Sequence, residues 1–135
     1  MSETAATILV ADDNENDRWL FQKAFKAALP TLSVDFVRDG QEVIDHLATN
    51  PMPCLLVLDH NMTRLNAFGV LKWLHDDETL KHLPVVIVSG TKSADDEGKA
   101  LKLGARAYFA KPYDFADMTQ LVRMLLQYCS DAPPR

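Results

Sequence analysis

Carboxylate, hydroxyl and ammonium side chains follow four separate apolar runs of this 135-residue chain. In chain order they are Asp12, Asp13, Asp59, Ser89 and Lys111. Asp59 follows four consecutive apolar residues, a pattern typical of a strand that is buried on both faces of a parallel sheet. In open α/β sheets, ligands bind beyond the carboxyl ends of the strands. The position of Asp59 therefore makes it the leading candidate for a functional residue.

Asp12 and Asp13 end the first apolar run, and parallel pairing of that run with the one before Asp59 would bring three carboxylates together. Like charges a few ångströms apart raise one another's pKa, so three ionised carboxylates require a cation. Carboxylates with water and a phosphate oxygen are typical ligands of Mg²⁺, whereas zinc prefers histidine and cysteine. The residues therefore predict a Mg²⁺ site at Asp12, Asp13 and Asp59.

Helix capping is the alternative for each of these acids. A strand-final Asp59 could cap the next helix, and Asp12 with Asp13 could form an acidic loop that caps the first helix. Ser89 and Lys111, which end the fourth and fifth runs, favour a chemical site over capping. A carboxylate can accept a phosphoryl group as an acyl phosphate, and that reaction needs positioning and charge neutralisation. Asp59 would attack, Ser89 would bond a phosphoryl oxygen, and Lys111 would pair with the transferred charge.

The elements that must position these residues repeat five times as an apolar run, a polar turn and a segment with helical periodicity. The predicted strands are residues 8–11, 34–37, 55–58, 85–88 and 106–110. Alternating strands and helices with short connections predict an α/β fold, a doubly wound five-stranded parallel sheet. We expect the flavodoxin-like order 2-1-3-4-5 in a single (βα)5 domain, which places the first strand beside the third.

Two of the predicted helices follow the fourth and fifth apolar runs. The fourth is expected to bury Ala100 and Leu101, and the fifth is expected to bury a stripe at helical spacing. The members of that stripe are Phe115, Met118, Val122, Leu125 and Cys129. Cys54 and Cys129 have neither metal-ligand nor redox spacing, so we expect two reduced, packed thiols.

Length and composition predict one domain at residues 7–129, with flexible tails at 1–6 and 130–135. A net charge of −5 argues against a nucleic-acid backbone as the partner, since phosphate binding requires a basic surface. No apolar stretch reaches the roughly 20 residues needed to span a bilayer, and the first residues lack the pattern of a signal peptide. We therefore expect a cytoplasmic protein that does not associate with membranes.

Over about residues 7–129, the chain resembles the receiver domains of two-component response regulators. The paired acids, Asp59, Ser89-Gly90 and Lys111-Pro112 occur in the family's order and at its spacing. The resemblance implies that a histidine kinase or phosphotransfer protein phosphorylates Asp59. It also implies that the backbone carbonyl of Asn61 completes the metal site and that Tyr108 is the switch aromatic.

The output surface implied by the resemblance is the face of helix 4, strand 5 and helix 5, which would bind a downstream target or a second copy of the chain. The short form and the segment from Asp76 to Val85 look more specifically like small stand-alone regulators paired with bacterial phytochrome kinases. Most receivers have proline and glycine where this chain has Thr63 and Ala67, so we expect altered loop geometry after Asp59. The resemblance also predicts a cis peptide at Lys111–Pro112.

Two aromatic residues near the site have alternative explanations. His60 should point away from Asp59, because successive strand residues face opposite sides, and we expect it to be exposed and not catalytic. Trp19 lies off the buried stripe of the first helix, where it would be either a partner-docking residue or an incidental exposed one.

These observations predict a single-domain phosphorylation switch and not an enzyme that acts on a metabolite. A phosphorelay shuttle would use the same residues and differ only in its partners. An unphosphorylated interaction module is disfavoured by the complete charge cluster. A haloacid-dehalogenase phosphotransferase would need an acid where this chain has Asn61, together with a cap domain that this length cannot hold.

Overall fold

The computed structural model describes residues 7–91 and 93–130, in which strands and helices alternate. The strands are Thr7–Ala11 (β1), Ser33–Val37 (β2), Leu55–Asp59 (β3), Val85–Ser89 (β4) and Ala107–Ala110 (β5). The α-helices are Glu15–Ala28 (α1), Gly40–Thr49 (α2), Ala67–His75 (α3), Ala94–Lys102 (α4) and Phe115–Ser130 (α5). A short 3-10 helix, Leu80–His82, precedes β4 and was not predicted.

All four strand pairings are parallel, and the sheet order is β2-β1-β3-β4-β5. The predicted α/β architecture and strand order are therefore confirmed. Ala11 of β1 is level with Leu58 of β3, and Ser89 of β4 is level with Ala110 of β5. This register brings the residues that end these four strands to one edge of the sheet.

The core forms two layers because successive residues of β3 point to opposite faces of the sheet. Leu56 and Leu58 pack with residues of α2, α3 and α4, whereas Leu55 and Val57 pack with residues of α1 and α5. All five residues of β3 are buried. The strand that carries Asp59 is thus held on both faces.

Two residues that we expected to be buried lie at the surface instead. Leu101 is 46% exposed, since α4 buries a single residue, Ala100. Phe115 is 45% exposed because it begins α5 and lines a surface groove with Trp19. The next residue of that predicted stripe, Met118, is fully buried.

The loop after Asp59, which lacks the proline and glycine usual in the family, is anchored to the start of α2. Arg64, whose φ is +64°, donates two hydrogen bonds to Asp39, at 2.9 Å from Nε and 3.2 Å from Nη2. The Gly40 amide donates to the Leu65 carbonyl at 3.1 Å, and a Cβ at Gly40 would collide with that carbonyl. These bonds anchor the loop to the start of α2.

Cys54 and Cys129 form a disulfide, so the expectation of two free thiols is wrong. They are separated by 75 residues, which is why their spacing gave no signal. Cys54 directly precedes β3 and Cys129 lies at the end of α5, and the two elements bring their Cα atoms to 5.1 Å.

Helix α5 extends to Ser130, one residue into the predicted C-terminal tail, and the rest of both predicted tails lies outside the described residues. Within residues 7–91 and 93–130, every helix is too short or too polar to span a bilayer.

Asp39 has two structural roles, which substitutions can separate. Its carboxylate caps α2 by accepting from the Glu42 amide at 2.9 Å, and it also binds Arg64. We expect Asp39→Ala to lower the free energy of unfolding by about 1–2 kcal/mol, since the cap and the loop anchor are both lost. Asp39→Asn should retain most of that stability because the amide oxygen still caps the helix. Urea denaturation measures both variants, and equal losses would contradict the capping role.

Candidate functional site

The candidate site lies at the carboxyl edge of the sheet, where β1, β3, β4 and β5 end. Asp12 follows β1, Asp59 and Ser89 are the last residues of β3 and β4, and Lys111 follows β5. The alternative that these acids are helix caps does not hold. Asn14 caps α1 and Asn66 caps α3, so neither Asp12 nor Asp59 is needed as a cap.

The Lys111 ammonium contacts three carboxylates. Its Nζ lies 2.8 Å from Asp17 Oδ2, 2.9 Å from Asp12 Oδ2 and 3.2 Å from Asp59 Oδ1. Lys111 is 8% exposed and Asp12 is 1% exposed, so these ion pairs are largely shielded from solvent. The Lys111 amide donates to the Ser89 carbonyl at 2.7 Å, which fixes the backbone from which the lysine reaches the site.

The peptide bond after Lys111 is trans, as are all peptide bonds of the described residues, so the predicted cis Lys111–Pro112 bond is wrong. The lysine enters the crevice without it, because the strand pairing with β4 already directs Lys111 toward the ends of β1 and β3.

Asp12, Asp13 and Asp59 converge as the sequence predicted. One carboxylate oxygen from each lies within 4.8 Å of those of the other two. Asp12 Oδ2 is buried and has no hydrogen-bond partner among the described residues, although the Lys111 ammonium is within ion-pair distance. Buried carboxylate oxygens with spare acceptor capacity fit a hard divalent cation such as Mg²⁺. Asn61, the predicted carbonyl ligand, is exposed two residues beyond Asp59.

Burial and mutual repulsion raise the pKa of the Asp59 carboxyl from its usual 3.8 to about 6. Burial is the largest cause, the Asp12 charge adds to it, and the Lys111 charge opposes both. Burial also raises the pKa of Asp12, against the hydrogen bond from the Asn14 amide and the charge of Lys111. For Lys111, burial disfavours the charge, but its bonds to Asp17 and Asp12 outweigh burial and raise the pKa. The lysine therefore stays protonated.

The Ser89 hydroxyl is buried and bonded within its own loop. It donates to the Thr91 carbonyl at 2.8 Å and accepts from the Thr91 amide at 3.2 Å. Ser89 therefore lies at the edge of the crevice with its proton engaged by the β4–α4 loop.

Tyr108 and His60 pack against each other beside the site. Tyr108 points inward, is 3% exposed, and its hydroxyl has no hydrogen-bond partner among the described residues. The prediction that His60 is exposed is wrong. Its ring is edge-on to Phe68 and Tyr108, and its Nε2 lies 3.6 Å from Asp96 on α4. His60 does point away from Asp59, but α3 and α4 cover that side of the sheet.

Trp19 is exposed, as predicted. It is 58% exposed on α1, and the Lys23 ammonium lies 4.9 Å from the centre of its ring. Together with Phe115 and Lys26, Trp19 lines a groove between α1 and α5.

Asp17 is the contact of Lys111 that the sequence did not indicate. It lies in the first turn of α1, where an acidic residue is ordinarily explained by the helix dipole. The available signal was its place one turn after Asp12 and Asp13, on a helix that begins at the mouth of the crevice.

Comparison with known proteins gives a consistent result. Residues 8–123 match the family described as the response regulator receiver domain. The polar-differentiation response regulator DivK of Brucella ovis is 30% identical over 127 residues, which cover 93% of this chain and 98% of the relative.

Among solved structures, the phosphorylated cyanobacterial phytochrome response regulator RcpA superposes with a TM-score of 0.85 at 28% identity, over 95% of this chain and 96% of that one. Response regulator RPA3017 in red light signalling of R. palustris superposes with a TM-score of 0.86 at 30% identity, over 96% and 99% of the two chains.

The raised pKa of Asp59 predicts that Asp59→Asn stabilises the fold at neutral pH. The native state retains the Asp59 proton up to about pH 6, whereas the unfolded chain loses it near the usual value of 3.8. The wild type therefore loses stability as the pH rises from about 3.8 to about 6, because over this range the native state must give up a proton that the unfolded chain has already lost. Without divalent cations and at about pH 8, we expect the free energy of unfolding of Asp59→Asn to exceed that of the wild type by about 1–3 kcal/mol.

The same comparison should show no advantage of Asp59→Asn below about pH 4, where the wild-type carboxyl is protonated in both states. Denaturant titrations across this range measure the difference. Asp76→Asn, at an exposed acid after α3, is the matched control and should show no such pH dependence. If Asp59→Asn is less stable than the wild type at every pH, the conclusion that burial and repulsion destabilise the charged Asp59 carboxylate is wrong.

Proposed function

Because the chain belongs to the response regulator receiver family, we propose that it is a single-domain regulator whose phosphoacceptor is Asp59. The observation that carries this proposal is the buried Lys111 ammonium shared by carboxylates at the ends of β1 and β3. Proteins of this family are phosphoaccepting signalling proteins and not enzymes that act on metabolites. We also propose that the domain spans residues 7–129 and that the protein acts in the cytoplasm.

In the proposed reaction, a carboxylate oxygen of Asp59 attacks the phosphorus of the donor. The bond from phosphorus to the donor breaks, and an aspartyl phosphate forms. Lys111 pairs with the transferred group, and the Ser89 hydroxyl turns from Thr91 to a phosphoryl oxygen. Asp12, Asp13, Asp59 and the Asn61 carbonyl would hold Mg²⁺, which supplies the charge neutralisation that phosphoryl transfer requires.

We propose a histidine kinase or phosphotransfer protein as the donor. The groove of Trp19 and Phe115 lies between α1 and α5 and offers exposed aromatic surface for docking. Two similar structures are those of a phytochrome response regulator and of a regulator in red light signalling, which supports a phytochrome kinase as the donor here. A phosphorelay shuttle would use the same site with a second phosphotransfer partner.

The signal would leave through Ser89 and Tyr108. Phosphorylation adds roughly −1.5 to −2 charge and new acceptor oxygens, which would draw Ser89 and its loop toward Asp59. Tyr108 already points inward, so the proposed switch is a change in how often its ring leaves this position. The face of α4, β5 and α5, which exposes Leu101 and Tyr113, would then bind the downstream target or a second copy of the chain.

Phosphorylation is tested with a small phosphodonor. Incubation with acetyl phosphate and Mg²⁺ should add one acid-stable, base-labile phosphoryl group, because the product is an acyl phosphate on a carboxylate. Intact-protein mass spectrometry measures the incorporation. Asp59→Asn and chelation of Mg²⁺ should each abolish it. Full incorporation in Asp59→Asn would refute the site, and no incorporation in the wild type would favour the interaction-module alternative.

The switch is tested by NMR with beryllofluoride, a phosphoryl mimic. We expect the Ser89, Tyr108 and α4 resonances to shift when the mimic saturates the wild type. In Ser89→Ala, the α4 and Tyr108 shifts should shrink, because the hydroxyl that would carry the movement is missing. Unchanged Tyr108 and α4 resonances in the saturated wild type would mean that the output uses another surface.

A further inference from the structure

Asp17 gives the site a fourth carboxylate, on a helix and not at a strand end. Its Oδ2 accepts a hydrogen bond from the Lys111 ammonium at 2.8 Å, the shortest of the three lysine contacts. Asp59, the proposed phosphoacceptor, has the longest, at 3.2 Å. Asp17 is not a member of the carboxylate cluster that could hold a cation. Its contact to the site therefore runs through the lysine.

The Lys111 ammonium is already shared among three carboxylates, and it donates a hydrogen bond to Asp17. An ammonium group carries three N–H bonds, and the carboxylates of Asp12, Asp17 and Asp59 surround it. A phosphoryl oxygen on Asp59 would compete with these carboxylates for the ammonium and would draw it toward Asp59, whose present contact is the longest of the three. That movement lengthens the contact to Asp17, since Asp17 lies on α1 and the phosphoryl group would be attached to β3.

The position of Asp17 is fixed by the backbone and not by its own side chain. Its amide donates to the Asn14 cap at 2.9 Å. The next residue, Arg18, donates from Nη1 to the Asp12 carbonyl at 2.7 Å, which ties the same turn of α1 to the end of β1. Asp17→Asn therefore leaves these anchors in place, so its effects report the loss of the carboxylate charge alone.

We propose that Asp17 is a positioning residue that holds the Lys111 ammonium in the unphosphorylated state and competes with the phosphoryl group for it. This inference rests on the proposed function of Asp59 as phosphoacceptor. Asp17 thereby lowers the affinity of the site for a phosphoryl group. It also favours binding of a divalent cation, since it draws the positive lysine away from Asp59.

The proposal makes two opposite predictions for Asp17→Asn. Beryllofluoride at saturating Mg²⁺ should bind about 3- to 10-fold more tightly, because the ammonium no longer has to leave an ionised partner. Mg²⁺ alone should bind about two- to fivefold more weakly, because the freed ammonium moves closer to the remaining carboxylates. Mg²⁺ binding is measured by calorimetry, and beryllofluoride binding by the NMR titration of the Ser89 amide.

Glu15→Gln is the matched control. Glu15 is an exposed acid in the same first turn of α1, so its substitution removes the same charge and the same helix-dipole contribution without touching Lys111. We expect it to change either affinity by less than about twofold. Asp17→Ala should act in the same directions as Asp17→Asn, since it also releases the lysine.

Three results would overturn the inference. If Asp17→Asn matches Glu15→Gln in both titrations, the contact to Lys111 has no influence on binding. If both affinities weaken together, Asp17 has a structural role only. If the wild type binds Mg²⁺ but no beryllofluoride, the proposed phosphoacceptor function fails, and the role of Asp17 as a competitor fails with it. In the first two results the wild type still binds beryllofluoride, so the role of Asp17 fails while the proposed phosphoacceptor function of Asp59 stands.

Discussion

The arrangement depends on one buried ammonium group placed among carboxylates that would otherwise repel one another. Lys111 contacts Asp12, Asp17 and Asp59, and each contact is shorter than a typical distance at which water would separate the charges. Burial of Asp59 and the neighbouring charge of Asp12 together outweigh this one positive charge, so the pKa of Asp59 remains raised to about 6 despite its contact with the lysine. In the proposed function, the excess negative charge is the source of the affinity for a cation and of the response to a phosphoryl group.

The fold holds this unfavourable cluster by distributing its members over separate, well-packed elements. The strand of Asp59 is buried along its whole length, and Lys111 is fixed through its amide to the Ser89 carbonyl. The loop after Asp59 is anchored by Arg64 and Asp39, a contact between regions far apart in the sequence. Rigid positioning allows charges to be kept close, because a flexible site would relax away from the repulsion.

Apolar runs and their terminal residues were enough to predict the strand order and the convergence of Asp12, Asp13 and Asp59, because parallel strands place all their carboxyl ends at one edge. Long-range side-chain contacts were beyond the sequence. The disulfide of Cys54 and the partial burial of His60 depend on how helices pack over the sheet, and no local pattern encodes that packing. The Lys111–Pro112 bond is trans, where the resemblance predicted a cis bond.

The central claim is that the Lys111 ammonium and the Ser89 hydroxyl respond to a phosphoryl group on Asp59. A crystal structure of the wild type with Mg²⁺ and beryllofluoride tests it most directly. The account predicts beryllium bonded to a carboxylate oxygen of Asp59, with Nζ of Lys111 on one fluoride and Oγ of Ser89 on another, released from Thr91. Beryllofluoride bound elsewhere, or bound at Asp59 with the lysine and serine contacts of the resting structure unchanged, would contradict it.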